Sequence, residues 1–168
     1  MLPLLLIACF ALDLVPTFAE PRCATERIAY VACVRDGDTI ELESCGGEAV
    51  RMLGVDAPEI AHSDAEVDQC YGPESRAWTT DRLLDRYVRL SFDATCQDTY
   101  GRTLAYVYLL DEGDTAGEDP GTFINSAIIR SGYARVYEDF DNILLAEQLY
   151  TAQTAAEQAN VGIWATCE

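Results

Sequence analysis

The chain has 168 residues, with 11 basic residues, all arginine, against 29 Asp and Glu, for a formal net charge of −18. Hydrophobic residues make up 49% and charged residues 24%, which excludes a disordered or low-complexity chain, and the length suits one domain of roughly 100–200 residues. So acidic a surface excludes capture of phosphates by long-range attraction, so any nucleic-acid binding would rest on a metal cation and a few placed arginines. The same acidity also suits a protein working in salt, where screening at about 1 M shortens to roughly 3 Å.

Residues 1–19, MLPLLLIACFALDLVPTFA, are apolar and end in Thr17-Phe18-Ala19, with small residues where a signal peptidase reads. They are expected to be a signal peptide, leaving 20–168 as a single mature domain, secreted or periplasmic. A rival reading takes Leu6-Ile7-Ala8-Cys9 as a lipobox with a lipid anchor on Cys9. Pro3, Asp13 and Pro16 argue against a buried N-terminal helix, and the run is too short and interrupted for an integral membrane protein. Six cysteines follow: Cys23, Cys33, Cys45, Cys70, Cys96 and Cys167. In an exported chain an even count points to disulfides, and six cysteines allow 15 pairings. Cys33 with Cys45 would brace a hairpin, Cys70 with Cys96 would tie two loops and Cys23 with Cys167 the termini; the sequence does not decide among these. There is no CxxC pair and His62 is the lone histidine, so no zinc site is expected.

Ile28–Val34 is β-rich, Asp36-Gly37-Asp38 turns, and Thr39–Leu42 resumes, which together signal a hairpin. Ala49–Val55 reads as a third strand, stopped by Asp56-Ala57-Pro58. Pro73 and Glu74 suit the first turn of a helix running to about Asp85. Tyr87–Phe92 and Thr103–Leu110 read as further strands, and Asp111–Gly121 as an acidic loop. Phe123–Ser131 is expected to be a short helix ended by Gly132, Ala134–Tyr137 a short extended piece, and Asn142–Ala159 a final helix capped by Asp141 or Asn142. Strands, helix, strands, then two helices suggest a small closed barrel with helices packed on it, mainly β in an α+β class.

Two turns carry carboxylates, Asp36 with Asp38 and Asp56 with Glu59. Such turns offer the oxygens that a hard cation such as Ca²⁺ takes, although Asp-Gly-Asp is also an ordinary hairpin turn. Arg51 lies inside an apolar strand and Arg102 opens another. Taken alone, each suits a carboxylate partner; beside a bound cation, their guanidinium forks suit a phosphodiester. Strict alternation puts Arg51 and Asp56 on opposite faces, so sharing a site requires a bend or bulge, for which Gly54 is the natural place. His62 reads as a surface residue of the polar segment HSDAEVDQ.

These motifs stand in series: Val34-Arg35-Asp36-Gly37-Asp38-Thr39, Arg51-Met52-Leu53-Gly54-Val55-Asp56-Ala57-Pro58-Glu59, Tyr71-Gly72-Pro73-Glu74 and Tyr100-Gly101-Arg102-Thr103-Leu104-Ala105-Tyr106. Asn125, Arg130-Ser131-Gly132-Tyr133-Ala134 and Gly162-Ile163-Trp164 continue them. In order and spacing the stretch from Ile28 to Trp164 resembles the staphylococcal nuclease family. The resemblance implies a five-stranded OB-fold barrel with about three packed helices. It also implies a Ca²⁺-dependent phosphodiesterase acting on DNA and RNA, single strands preferred, leaving 3′-phosphates. Carried over, Asp38, Asp56 and the carbonyl of Ala57 would hold Ca²⁺. Arg51 and Arg102 would bind the scissile phosphate, Glu59 would orient or deprotonate the attacking water, and Tyr100 and Tyr137 would line the nucleotide pocket. A monomer is expected. The chain departs from the best-known members in its acidity, its cysteines and its long acidic loop. A catalytically silent OB-fold module and a disulfide-stabilised domain binding only protein or calcium are the competing readings.

Overall fold

The computed structural model describes Cys23 and residues 26–63, 65–114, 121–137 and 144–167. The expected signal segment, the helix cap at Asp141 or Asn142 and the middle of the acidic loop lie outside those residues. Among them, no helix is long and apolar enough to cross a membrane.

Five strands close a barrel. Strands β1 (Arg27–Val34), β2 (Thr39–Leu42) and β3 (Glu48–Met52) form an antiparallel meander. Strand β5 (Tyr87–Ser91) pairs antiparallel with both β1 and β6 (Thr103–Leu109). The parallel pairing of β3 with β6, Arg51 opposite Leu104, completes the ring. An irregularity between Val31 and Cys33 lets β1 serve two neighbours: its first half pairs with β5 and its second with β2. Such bulges bend a strand and increase its twist, as a closed barrel demands. Inside lie Val31, Ile40, Leu42, Val50, Met52, Val88, Leu90, Ala105 and Val107, all buried.

Helix α1 (Gly72–Leu83) follows the short strand β4 (Val55–Asp56). Proline opens it, as expected, but it stops at Leu83 rather than Asp85. After β7 (Thr122–Phe123) come α2 (Ile124–Arg130) and β8 (Arg135–Val136), which pairs with β4, Asp56 opposite Arg135. Helix α3 (Ala146–Ala159) buries Leu149, Ala152 and Ala156. A four-residue helix α4 (Ile163–Thr166) is too short for periodicity to announce.

One buried side chain ties the helices to the barrel. Asn125 of α2 accepts the Val107 N–H (2.8 Å) and donates to the Leu53 carbonyl (2.9 Å). It thereby fixes the two-residue turn Leu53-Gly54 between β3 and β4. The sequence suggested one continuous strand, Ala49–Val55. The chain instead breaks at Gly54, whose φ of 69° is open to glycine at little cost.

The cysteines pair as Cys23 with Cys96, Cys33 with Cys45 and Cys70 with Cys167, with Cα separations of 5.2, 5.2 and 5.9 Å, all within disulfide range. The hairpin pair is the one anticipated. The other two considered, Cys70 with Cys96 and Cys23 with Cys167, are exchanged. The fold lays each terminus against a different loop: Cys23 beside the β5–β6 connection and Cys167 beside the segment before α1.

Candidate active site

The turn Asp36-Gly37-Asp38 is pressed into the molecule. Thr79 of α1 donates its hydroxyl to the Gly37 carbonyl (2.6 Å). A Cβ at Gly37 would meet the Ala57 Cβ at 2.6 Å and the Ser75 Oγ at 2.9 Å, so only glycine lets the turn, β4's end and α1 approach this closely. Asp38 is thereby fully buried. Its Oδ2 accepts the Ala57 N–H (2.8 Å), and its Oδ1 accepts the Thr39 hydroxyl (3.1 Å) and pairs with Arg51 Nη1. Burial pushes the Asp38 carboxyl well above its ordinary range; Arg51 opposes the shift and Asp36 adds to it.

Arg51 is the centre of the cluster. Its Nη2 donates to the Val55 carbonyl (3.1 Å) and lies 3.6 Å from Asp56 Oδ1, while Nη1 lies 3.8 Å from Glu59 Oε1. The break at Gly54 thus accomplishes what alternation forbade, with Arg51 and Asp56 meeting at one site. The backbone of Glu59 is pinned through both ends of Gln69, its N–H donating to Oε1 (3.1 Å) and its carbonyl accepting the Gln69 N–H (2.9 Å). Partial burial and the nearby Asp36 raise the Glu59 carboxyl above its ordinary value, against Arg51. Ala57 is buried, and its carbonyl accepts no hydrogen bond among the described residues.

Arg102, the residue before β6, reaches the same cavity as Arg51. Asp98 holds it: Oδ2 accepts Arg102 Nε (2.7 Å) while Oδ1 accepts the backbone N–H groups of Tyr100 and Arg102 (both 2.9 Å). The terminal nitrogens of Arg102 take no partner among the described residues. Tyr100 is 85% exposed, its ring 5.5 Å from the Arg102 guanidinium.

Arg51, Glu59, Tyr100, Arg102 and Tyr137 all line one open cavity of about 480 Å³, floored by Met52 to Val55. Asp38 lies behind Arg51 and outside that lining. Asp56 and Ala57 border a neighbouring depression of about 290 Å³ with Arg135 and Gln69. A larger cavity of about 750 Å³ adjoins the first and shares Thr95, Gln97 and Asp98 with it. Its one arginine, Arg27, is already paired with Glu48.

One residue of the site, and one contact beside it, escaped the sequence reading. Asp98 anchors Arg102. Asp36, read as a turn carboxylate, is buried, and His62 faces it, Nε2 to Oδ2 3.9 Å. The spacing Asp98-x-Tyr100-Gly101-Arg102 was a usable signal for the first, since an aspartate opening a turn accepts backbone N–H groups two and more residues on. Nothing local announces the meeting of Asp36 with His62.

Asp38, Asp56 and Glu59 thus gather around a single guanidinium, Arg51, and Asp36 lies beside Glu59. That is an oxygen-rich, anionic arrangement, and it fits a hard divalent cation.

The sequence matches the model of the family described as Staphylococcal nuclease homologue over residues 49–166. It is 35% identical over 142 residues to the thermonuclease of Staphylococcus hyicus, covering 84% of this chain and 78% of that protein. It is 38% identical over 135 residues to the thermonuclease of Staphylococcus intermedius, covering 78% and 72%.

Proposed function

The chain belongs to the staphylococcal nuclease family, and from that premise we propose that it is an exported, calcium-dependent nuclease hydrolysing DNA and RNA with little sequence preference. The observation that carries this reading is the single cavity onto which Arg51, Glu59 and Arg102 all open. It brings two guanidinium groups and one carboxylate onto one cavity, the charges that a phosphodiester and an attacking water require.

Arg51 is oriented by Asp38 and the Val55 carbonyl, and Arg102 by Asp98. Neither has to be ordered when the substrate arrives. Their forks suit the non-bridging oxygens of a phosphodiester. The diester carries one negative charge and the pentacoordinate transition state two, so fixed cations stabilise the latter more. Glu59, with its raised carboxyl, aligns a water and takes its proton as the water oxygen attacks phosphorus. The bond from phosphorus to the 5′ oxygen breaks and that oxygen takes a proton from solvent, leaving a 3′-phosphate and a 5′-hydroxyl. Asp38, Asp56 and the free carbonyl of Ala57 would hold Ca²⁺, which when bound supplies positive charge beside the phosphate and the water. Tyr100 and Tyr137 offer ring faces for bases, a mode suited to unpaired strands.

Export rests on the signal-like residues 1–19, and the three cysteine pairs suit an oxidising compartment. The test is hydrolysis of single-stranded DNA by the purified protein with Ca²⁺, with a chelator, and by Glu59→Gln. Calcium-dependent cleavage that collapses in the variant supports the assignment. A folded protein with its cysteines paired that cuts neither DNA nor RNA at low or high salt overturns it in favour of a silent binding module.

A further inference from the structure

We propose that Asp36, Glu59 and His62 form a second cation site, selective for a borderline transition-metal ion such as Zn²⁺, whose occupancy shuts the nuclease off by withdrawing Glu59 from the cavity. The inhibitory half of this proposal rests on the role given to Glu59 above; the metal site itself does not.

One ligand atom from each of the three residues lies within 4.8 Å of the other two. A point equidistant from three donors at that limit is about 2.8 Å from each, against roughly 2.0–2.2 Å for zinc with nitrogen and oxygen ligands. Side-chain movements of about 0.6–0.8 Å per ligand close the gap. The Asp36 side chain is only 5% exposed. Its Oδ1 accepts the Asp38 N–H (3.3 Å), which accounts for its place in the turn. Its Oδ2 receives no N–H from the described residues and points toward His62 Nε2, 3.9 Å away. A carboxylate on so buried a side chain favours a positive partner, and the neighbour on this oxygen's side is the imidazole. His62 is half-exposed, so it is free to swing in with a metal.

Donor chemistry separates this set from the one assigned to Ca²⁺. Calcium takes oxygen ligands, whereas imidazole favours zinc and its neighbours. The Asp38, Asp56 and Ala57 oxygens are not in this set, and Glu59 is the residue that links it to catalysis. A carboxylate bound to a transition metal is no longer a base, so a filled site and a working Glu59 exclude each other. The expectation from the lone histidine, that no zinc site exists, considered cysteine and histidine ligands; the carboxylates that complete this set come from other segments of the chain.

The test compares untagged wild-type protein with His62→Gln, a change at a half-exposed residue that does not itself line the cavity. Co²⁺ is added as a spectroscopic probe, then displaced by Zn²⁺. Separately, Zn²⁺ is titrated into single-stranded DNA hydrolysis at saturating Ca²⁺. The proposal expects a visible cobalt band that zinc abolishes in the wild type and that His62→Gln lacks. It also expects His62→Gln to cleave at the wild-type rate without zinc and to need at least about 10-fold more zinc for half inhibition, since even residues supporting a metal ligand are worth that much in affinity. The same cobalt band in both proteins, or equal sensitivity to zinc, overturns it. Absence of hydrolysis by the wild type would instead fell the nuclease assignment, and the cobalt comparison would still decide the metal site.

Discussion

Asp98 is the residue whose removal best separates holding Arg102 from holding the fold. Its carboxylate accepts three hydrogen bonds, two from backbone N–H groups on Oδ1 and one from Arg102 Nε on Oδ2. A hydrogen bond to a charged group contributes about 1.5–3 kcal/mol when buried; here the turn is accessible to water, which recovers part of each, so Asp98→Ala should cost about 2 kcal/mol. Asp98→Asn is the informative partner. Its carbonyl oxygen can keep both backbone donors, but its NH₂ would confront Arg102 Nε, donor against donor. Asn should therefore cost under about 1 kcal/mol in stability while still releasing the guanidinium. Each arginine carries roughly 2 kcal/mol of rotamer entropy. Re-ordering most of it in every turnover lowers kcat/KM about 10-fold in both variants, at about 1.4 kcal/mol per decade. Acid gives a second check. Burial pushes the Asp98 carboxyl up, but the Arg102 guanidinium and two N–H donors outweigh it and hold the group below its ordinary range. Its stabilisation is fully present above the unfolded value near pH 4 and is lost as pH falls through the lower folded value. The stability gap between wild type and Asp98→Asn should therefore shrink in acid. Paired urea melts and initial rates on single-stranded DNA provide the numbers. An Asp98→Asn protein with wild-type kcat/KM would refute the positioning argument.

Arg51→Ala should lower the rate by about 10²–10³, as loss of one charge-stabilising donor does. It should also destabilise the fold by about 3–5 kcal/mol, because it strands the buried Asp38 carboxylate; a melt beside the rate assay reads both. Peptide mapping of the unreduced protein should recover Cys23 with Cys96, Cys33 with Cys45 and Cys70 with Cys167. Cys70→Ser should cost about 2–5 kcal/mol in a thermal melt, and recovery of the exchanged pairs would show the chain ends to be misplaced. Salt should not weaken substrate capture between 10 mM and 0.15 M, since shortening the screening length from about 30 to 8 Å relaxes the repulsion of a chain carrying −18. A KM that climbs steeply over that range would contradict this.

How much of this was legible in the sequence depended on how far apart the cooperating residues lie. The β1–β2 hairpin and the strands β5 and β6 were legible because alternation and turn residues act within a few positions. The bend at Gly54 was legible as a requirement: if Arg51 and Asp56 were to meet, the strand had to break, and glycine was the residue that allowed it. The closing pair of β3 with β6 joins Arg51 to Leu104, and no local pattern announces such a register. Pairing of Cys23 and Cys167 depended on which loop each terminus lies against, which only the closed barrel determines. Asp36 and His62 are 26 positions apart, and their approach depends on the path of the segment before α1. The anchoring of Arg102 by Asp98 was within local reach, because an aspartate four residues before an arginine and three before a glycine is a turn with a built-in ion pair.

The charge of the site would give the proposed cation a part in substrate binding as well as in chemistry. Arg51 and Arg102 stand among Asp36, Asp38, Asp56, Glu59 and Asp98, two cations against five carboxylates. Both guanidinium groups are already neutralised by the partners that orient them. An excess of three negative charges repels a phosphodiester before any transition state forms, and the acidic surface around it offers no compensation. A divalent cation, if held by Asp38 and Asp56 as proposed, would reduce that excess to one. The same field that repels the substrate draws the cation in. On the proposed calcium-dependent reading, the chain would have exchanged a basic docking surface for dependence on a metal, with orientation supplied by the carboxylates and attraction by the ion.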